Sequence, residues 1–120
     1  MFHKILKVFS RVFVRWNVGR NKFRKIKNFV AANESGVTVD AHYKSGGYGS
    51  GSILCEIAGV RFVMLYELEE VGKKVYQVIF SSSIRKEGEN LPVSFELQEK
   101  IARFVGEALS VLGGKYEFRK

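Results

Sequence analysis

Two groups of carboxylates are the first candidates for chemistry. Glu67, Glu69 and Glu70 form one group, and Glu87 and Glu89 form the other. Closely spaced carboxylates can carry out acid–base catalysis or hold a metal ion. Both groups lie in polar, loop-like sequence near lysines, which is typical of a solvated hairpin tip. Exposed carboxylates also suit a cationic cleft on a protein partner, and we expect that role for the first group.

The other reactive residue types form no convincing constellation. Cys55 lies in an apolar strand pattern, where its neighbours raise the thiol pKa rather than lower it. The serine run 81–83 lacks the sharp turn of a nucleophilic serine, and only His42 is a plausible base. One cysteine and two histidines are a poor basis for a zinc site. We therefore predict no enzymatic activity, no cofactor and no metal.

The glycine-rich segment 46–51 invites comparison with phosphate-binding loops. It lacks the Gly-Lys-Ser/Thr ending of a P-loop and leads into a strand pattern rather than a helix. Four glycines in six residues favour a mobile connection between strands. Tyr48, within this segment, is a candidate aromatic contact to a partner.

The positive charge is concentrated at one end of the chain. The net charge is +8, yet residues 1–33 contain nine lysines and arginines and no acid, whereas residues 34–120 are close to neutral. We call residues 1–33 the basic arm. Three interpretations remain open for it: a soluble surface, a contact to nucleic acid or an anionic membrane, and a contact to a protein. Arg20, Lys22, Arg24 and Lys25 would suit an acidic, metal-binding active site on a partner.

Hydrophobic periodicity predicts the elements that position these residues. Apolar residues spaced by three and four predict a helix over 2–16, and Asn21 would cap a second helix reaching about Ala32. From Gly36 the period changes to two, which predicts strands. These strands cover 37–42, 53–58, 60–68 and 75–81, with a hairpin loop over 69–74. Ser94 caps a final helix that ends at Gly113-Gly114, and 115–119 adds an edge strand.

The predicted fold class is therefore α+β. We expect an antiparallel sheet of four to five strands packed by a C-terminal helix and preceded by two N-terminal helices, with a Whirly-like arrangement as the alternative. The basic arm 1–33 would pack on, or extend from, an α+β domain over 34–120. No apolar run approaches the ~20 residues of a membrane span, and the lysines and arginines threaded through 1–16 do not match a signal peptide. We expect a cytoplasmic protein.

The C-terminal third carries a family resemblance. The run 78–84 (Val-Ile-Phe-Ser-Ser-Ser-Ile) precedes Pro92 and Ser94, and a helix with Ile101, Ala108 and Leu109 leads to the segment 114–118 (Gly-Lys-Tyr-Glu-Phe). This pattern resembles the Immunity protein 74 family of bacterial polymorphic-toxin and contact-dependent growth inhibition systems. The resemblance covers about residues 37–118 and is concentrated in 78–118. Residues 85–92 replace the family's Trp-Glu-Pro-Pro-like stretch, and the basic arm lies outside the match.

The resemblance implies an antidote that binds a cognate toxin domain, expected to be a nuclease, and blocks it without chemistry. The candidate toxin contacts are Arg20, Lys22, Arg24, Lys25, Tyr48, Glu67, Glu69 and Glu70. A nucleic-acid-binding module that uses the basic arm is the alternative function. Attachment to a membrane through residues 1–16 is a third possibility, and the oligomeric state stays open.

Overall fold

The computed structural model describes residues 22–120 as one mixed sheet with a single α-helix packed on it. The eight strands are β1 (Arg24–Lys27), β2 (Val30–Ala32), β3 (Val37–Gly47), β4 (Ser50–Ile57), β5 (Val60–Val71), β6 (Lys74–Phe80), β7 (Arg85–Lys86) and β8 (Tyr116–Arg119). A 3₁₀ turn (Ser81–Ser83) separates β6 from β7, and helix α1 (Phe95–Val111) precedes β8. The sheet order is β1-β2-β3-β4-β5-β6-β8, and β7 pairs with β5.

Two-residue turns set the register of the central strands. Tyr48-Gly49 connects β3 to β4 with φ values of 44° and 77°, and Ala58-Gly59 connects β4 to β5 with φ values of 50° and 86°. A positive φ at both central residues matches the right-handed twist of the flanking strands. The turns therefore hold β3, β4 and β5 in consecutive antiparallel pairing.

The glycine-rich segment is not an irregular connection, because it belongs to a hairpin of β3 and β4 that Tyr48-Gly49 closes. β3 continues to Gly47, and β4 resumes at Ser50. Gly51 lies directly opposite Tyr66 of β5. A Cβ atom on Gly51 would collide with the Lys44 carbonyl oxygen and lie 2.8 Å from the Tyr66 hydroxyl. The absence of a side chain thus lets the aromatic ring and the neighbouring backbone approach closely.

The core lies between one face of the sheet and α1. Alternate residues of β3, β4 and β5 point toward the helix, as the period of two requires. The helix contributes the buried side chains of Ile101, Val105, Ala108 and Leu109. The buried strand residues that pack in the same cluster are Ala31, Val37, Val39, Ala41, Ile53, Cys55, Phe62, Met64, Tyr66 and Ile79.

The predicted ends of α1 are confirmed. Ser94 is the N-cap, and its side chain accepts a hydrogen bond of 3.3 Å from the Leu97 N–H. Glu96 lies in the first turn, where a negative charge interacts favourably with the helix dipole. Gly113 has a φ of 81°, which ends the helix in the left-handed conformation.

The predicted second N-terminal helix is wrong. Residues 24–32 form the β1–β2 hairpin, and β2 pairs antiparallel with β3. Phe23 and Val30 are buried, but Ile26, which would share their helical face, is 60% exposed. Antiparallel pairing of β2 with β3 and the burial of Ala31 in the core hold this segment in the strand conformation. The helix predicted over 2–16 lies outside the described residues.

The sheet also differs from the prediction in size and direction. Within residues 22–120 it has eight strands rather than four to five, and it is mixed rather than antiparallel because β8 runs parallel to β6. The chain between β6 and β8 contains α1, the type of crossover that parallel neighbours require. The predicted loop over 69–74 shrinks to the turn at Gly72-Lys73, so Glu69 and Glu70 lie on β5.

Candidate functional site

Exposed cations follow the β1 edge of the sheet. Lys22 directly precedes β1, and the strand itself contributes Arg24, Lys25 and Lys27, all of them exposed. We call these four residues the basic edge. In the part of the chain that the structure describes, β1 is the end strand of the sheet, so one side of its backbone has no neighbouring strand. The basic edge therefore presents cations together with free main-chain hydrogen-bonding groups.

Ion pairing leaves most of the basic edge free. Arg24 pairs with Glu34 at 3.0 Å, and both side chains are well exposed. Within residues 22–120, Lys22, Lys25 and Lys27 form no ion pair. Their charges are available to an anionic partner.

Phe23 anchors the basic edge to the core. Its side chain is 2% exposed, and its ring meets the Phe104 ring of α1 edge-on, with centroids 6.3 Å apart. Side chains alternate along an extended chain, so burying Phe23 turns Lys22 and Arg24 away from the helix. One buried aromatic residue thus holds the cations beside it at the surface.

An aromatic cluster lies at the β1–β2 turn. Phe29 has a φ of 68° and is 54% exposed, and its ring packs edge-on against His42 at 4.4 Å. The His42 Nδ1 atom is 3.0 Å from the Tyr66 hydroxyl. Desolvation by burial raises the pKa of Tyr66. Phe29 gives the basic edge an exposed apolar neighbour.

The three predicted glutamates do not converge on one surface. Residues 69 and 70 are neighbours on β5, so their side chains leave opposite faces of the sheet. Glu69 forms a bidentate ion pair with Arg119, with both N–O distances at 3.1 Å. Glu67 lines a shallow pocket of about 420 Å³ together with Lys44 and Phe80. The trio therefore lacks the shared acidic surface that a cationic cleft would meet.

Tyr48 is fully exposed at the tip of the β3–β4 hairpin. The Ala41 N–H of β3 donates to the Phe29 carbonyl, so the β1–β2 turn lies next to Ala41. Tyr48 lies seven positions after Ala41, which is about 20 Å of extended chain. Tyr48 and the basic edge are therefore separate surfaces. Arg20, the remaining predicted contact, lies outside the described residues.

The structure adds a polar cluster that the sequence pattern missed. The Arg61 Nε atom donates to Glu87 at 2.6 Å, and its Nη2 atom donates to the Tyr43 hydroxyl at 2.8 Å. The Tyr43 hydroxyl donates to the other oxygen of Glu87 at 2.6 Å. The hydrogen bond from Arg61, and after it that from Tyr43, lowers the pKa of Glu87. The hydrogen bond to Glu87, and after it that to Tyr43, raises the pKa of Arg61. The three groups satisfy one another and tie β3, β5 and the chain after β7 together.

The reactive residue types have structural partners. Burial raises the pKa of the Cys55 thiol to about 12, so the sulfur stays protonated near neutral pH. Ser83 Oγ accepts from the Leu65 N–H at 2.9 Å and donates to the Phe80 carbonyl at 2.5 Å. Both β6 and β7 pair with β5 but leave a gap between them. The Ser83 side chain supplies a hydrogen bond to the β5 backbone in that gap. Among residues 22–120, no three His, Cys, Asp or Glu side chains are grouped as metal ligands would be.

Comparison with protein families, curated proteins and solved structures finds no match. The resemblance to the Immunity protein 74 family therefore stays a prediction from the sequence. None of the helices in the described part of the chain is long and apolar enough to span a membrane.

Proposed function

We propose that this protein is an immunity protein that binds a cognate bacterial toxin domain through its basic edge and neutralises it without chemistry of its own. The observation that supports the proposal is the set of unpaired cations on an end strand of the described sheet. The sequence resemblance supplies the class of partner, and the charge of the edge supplies the kind of surface it would meet. We place the protein in the cytoplasm, where an internalised nuclease would act.

The partner surface that suits the basic edge is an acidic active site. Nucleases that bind divalent metal ions hold them with carboxylates, which leaves a negative cleft in the absence of substrate phosphates. Lys22 and Lys25 leave opposite faces of the extended chain, so the cleft would receive the edge itself and pair with cations on both of its faces. Opposite charges speed association and select the partner, and a few desolvated anchors supply most of the affinity.

Apolar side chains beside the cations would supply those anchors. Ile26 lies within β1 and Phe29 on the adjoining turn, and both are more than half exposed. An inhibitor interface needs about 800 Å² on each partner, with an apolar centre and a polar rim. The basic edge and its turn provide both kinds of surface side by side.

Co-expression with the toxin domain encoded next to this gene tests the proposal. We expect the two chains to co-purify and the bacteria to grow normally. The double variant Lys22→Glu/Lys25→Glu should weaken binding by about tenfold or more, on the order expected for reversing two interface charges. Lys73→Glu/Lys74→Glu is the matched control, since it changes the net charge equally at the exposed β5–β6 turn.

The outcomes separate the function from the surface. If the wild-type chain neither co-purifies with the toxin domain nor restores growth, the antidote function is wrong. If both double variants weaken binding equally, the function stands but the basic edge is not the contact.

Nucleic-acid binding at the same surface is the second candidate. Exposed Phe29, two residues after Lys27 in the chain, would combine a stacking ring with phosphate-binding cations. This function requires an affinity that falls with salt, with a log–log slope of about −0.7 per phosphate contact for a single strand. No binding to DNA or RNA at ~50 mM salt would exclude it.

A further inference from the structure

The described sheet has a second edge strand, β8, whose outward-pointing main-chain groups can be identified. In the sheet formed by residues 22–120, β8 follows β6 and has no neighbour on its other side. The Gln77 N–H donates to the Lys115 carbonyl at 2.9 Å. In a parallel pair, every second residue of a strand directs its N–H and C=O groups toward the same neighbour. Since the Lys115 carbonyl bonds to β6, the main-chain groups of Glu117 and Arg119 also point toward β6. Those of Tyr116, Phe118 and Lys120 turn outward.

Charge protects the two edges of the sheet differently. The β1 edge carries Lys25 and Lys27 without ion pairs among the described residues, and free lysines discourage strand pairing. On β8, by contrast, Arg119 is engaged by Glu117 at 2.9 Å and by Glu69 at 3.1 Å. Among the described residues, the β8 edge therefore has free backbone groups, and Glu117 and Glu69 balance the charge of Arg119.

We propose that β8 pairs antiparallel with β8 of a second copy of this chain, about a two-fold axis at Phe118. In this register Phe118 lies opposite Phe118 of the second copy, and Tyr116 lies opposite its Lys120. All three residues have outward main-chain groups, so each of these positions is a hydrogen-bonded pair.

Charge complementarity selects this register over its neighbours. Centred on Phe118, Glu117 faces Arg119 of the second copy, and the symmetry repeats the pair. A two-fold axis at Glu117 would oppose Glu117 to itself and Arg119 to Lys115, and an axis at Arg119 would oppose Arg119 to itself. Like charges directly opposite each other on paired strands are destabilising, whereas opposite charges are stabilising.

The apolar surroundings of β8 also suit a second copy. A groove of about 610 Å³ runs between α1 and β8 and includes Phe95, Tyr116 and Phe118 in its lining. Phe95 is the first residue of α1, and its side chain is 56% exposed. The second copy would place its own Phe118 next to this groove. Because the contact is two-fold, each copy uses its β8 edge once and the assembly closes at two chains.

Sedimentation equilibrium of the full chain, from about 1 to about 500 µM, tests the proposal. We expect a reversible dimer of the 13.6 kDa chain. Glu117→Arg places a second guanidinium opposite Arg119 and should raise the dissociation constant by about tenfold or more. Glu70→Arg is the matched control, with the same change of charge on β5, and should dimerise like the wild type.

A mixing experiment isolates the charge pair. Glu117→Arg mixed with Arg119→Glu brings opposite charges together at both positions, so the mixture should dimerise more tightly than either variant alone. If Arg119→Glu does not fold, salt provides the second measurement. Raising it from about 0.05 to about 0.5 M should strengthen the Glu117→Arg dimer by screening its like charges.

Several results would overturn the proposal. One is a wild-type monomer throughout the concentration range. Others are assembly beyond two chains, equal dimerisation of Glu117→Arg and the wild type, and a mixture no tighter than its components.

Discussion

Arg119 of β8 donates two hydrogen bonds of 3.1 Å to the carboxylate of Glu69 on β5, across the intervening strand β6. The same guanidinium reaches Glu117, two residues back on its own strand, at 2.9 Å. Glu69 therefore joins the last strand to the middle of the sheet. A residue that the sequence marks as a toxin contact has an internal partner fifty positions away.

Glu69→Gln should leave toxin neutralisation unchanged and slightly lower the thermal midpoint. The substitution removes one charge of an exposed ion pair, and such pairs contribute little to stability. Growth rescue and a thermal melt on the same preparation measure the two effects. Loss of growth rescue at an unchanged melting temperature would indicate that Glu69 contacts the toxin.

Glu87 should make stability depend on acid pH. Hydrogen bonds from Arg61 and Tyr43 lower its pKa below the ordinary 4.5. A depressed pKa means that the stabilisation is fully present above 4.5 and is lost as the pH falls through the lower, folded value. Glu117 adds to this trend because Arg119 lowers its pKa too.

Urea denaturation of Glu87→Gln and wild type at neutral pH and near pH 3 tests this linkage. The variant should be less stable than wild type at neutral pH and closer to it in acid. Glu89→Gln, two positions along and exposed, is the control and should follow the wild type at both pH values. A Glu87→Gln deficit that does not shrink in acid would contradict the linkage.

Gly51→Ala should destabilise the fold by about 1–3 kcal/mol, the usual cost of overpacking. The added methyl group would collide with the Lys44 carbonyl, a backbone atom that cannot rotate away. Ser52→Ala, at the next position of β4, adds no atoms and should cost far less. Chemical denaturation of both variants gives the comparison, and equal stability would contradict the close approach of β3 and Tyr66.

Cys55 should resist thiol reagents in the native protein. Its side chain is fully buried, and the pKa is raised to about 12, so both access and thiolate are lacking near neutral pH. A colorimetric disulfide reagent should label it at the rate of unfolding and at once in denaturant. Immediate labelling of the folded chain would contradict its burial in the sheet.

The sequence predicted the parts of the fold that depend on local patterns. Helix α1 follows from Ser94, a clear apolar stripe and Gly113, each acting within a few residues of the helix. The alternation in 37–41 likewise predicts a strand and its buried side, and the apolar run over 60–68 predicts a strand. For the candidate site, local pattern predicts the exposure of Lys22, Arg24 and Lys25, because a run of cations is costly to bury.

The structure alone decided how distant segments pair. The spacing of Phe23, Ile26 and Val30 fits a helical face, yet this segment is a hairpin that is hydrogen-bonded to β3. No pattern within the segment itself indicates that β3 lies beside it. The parallel position of β8 and the Glu69–Arg119 pair likewise join residues far apart in the chain. Side-chain pattern acts over one turn or one strand, whereas strand pairing is settled by which backbone donors and acceptors meet once the core has formed.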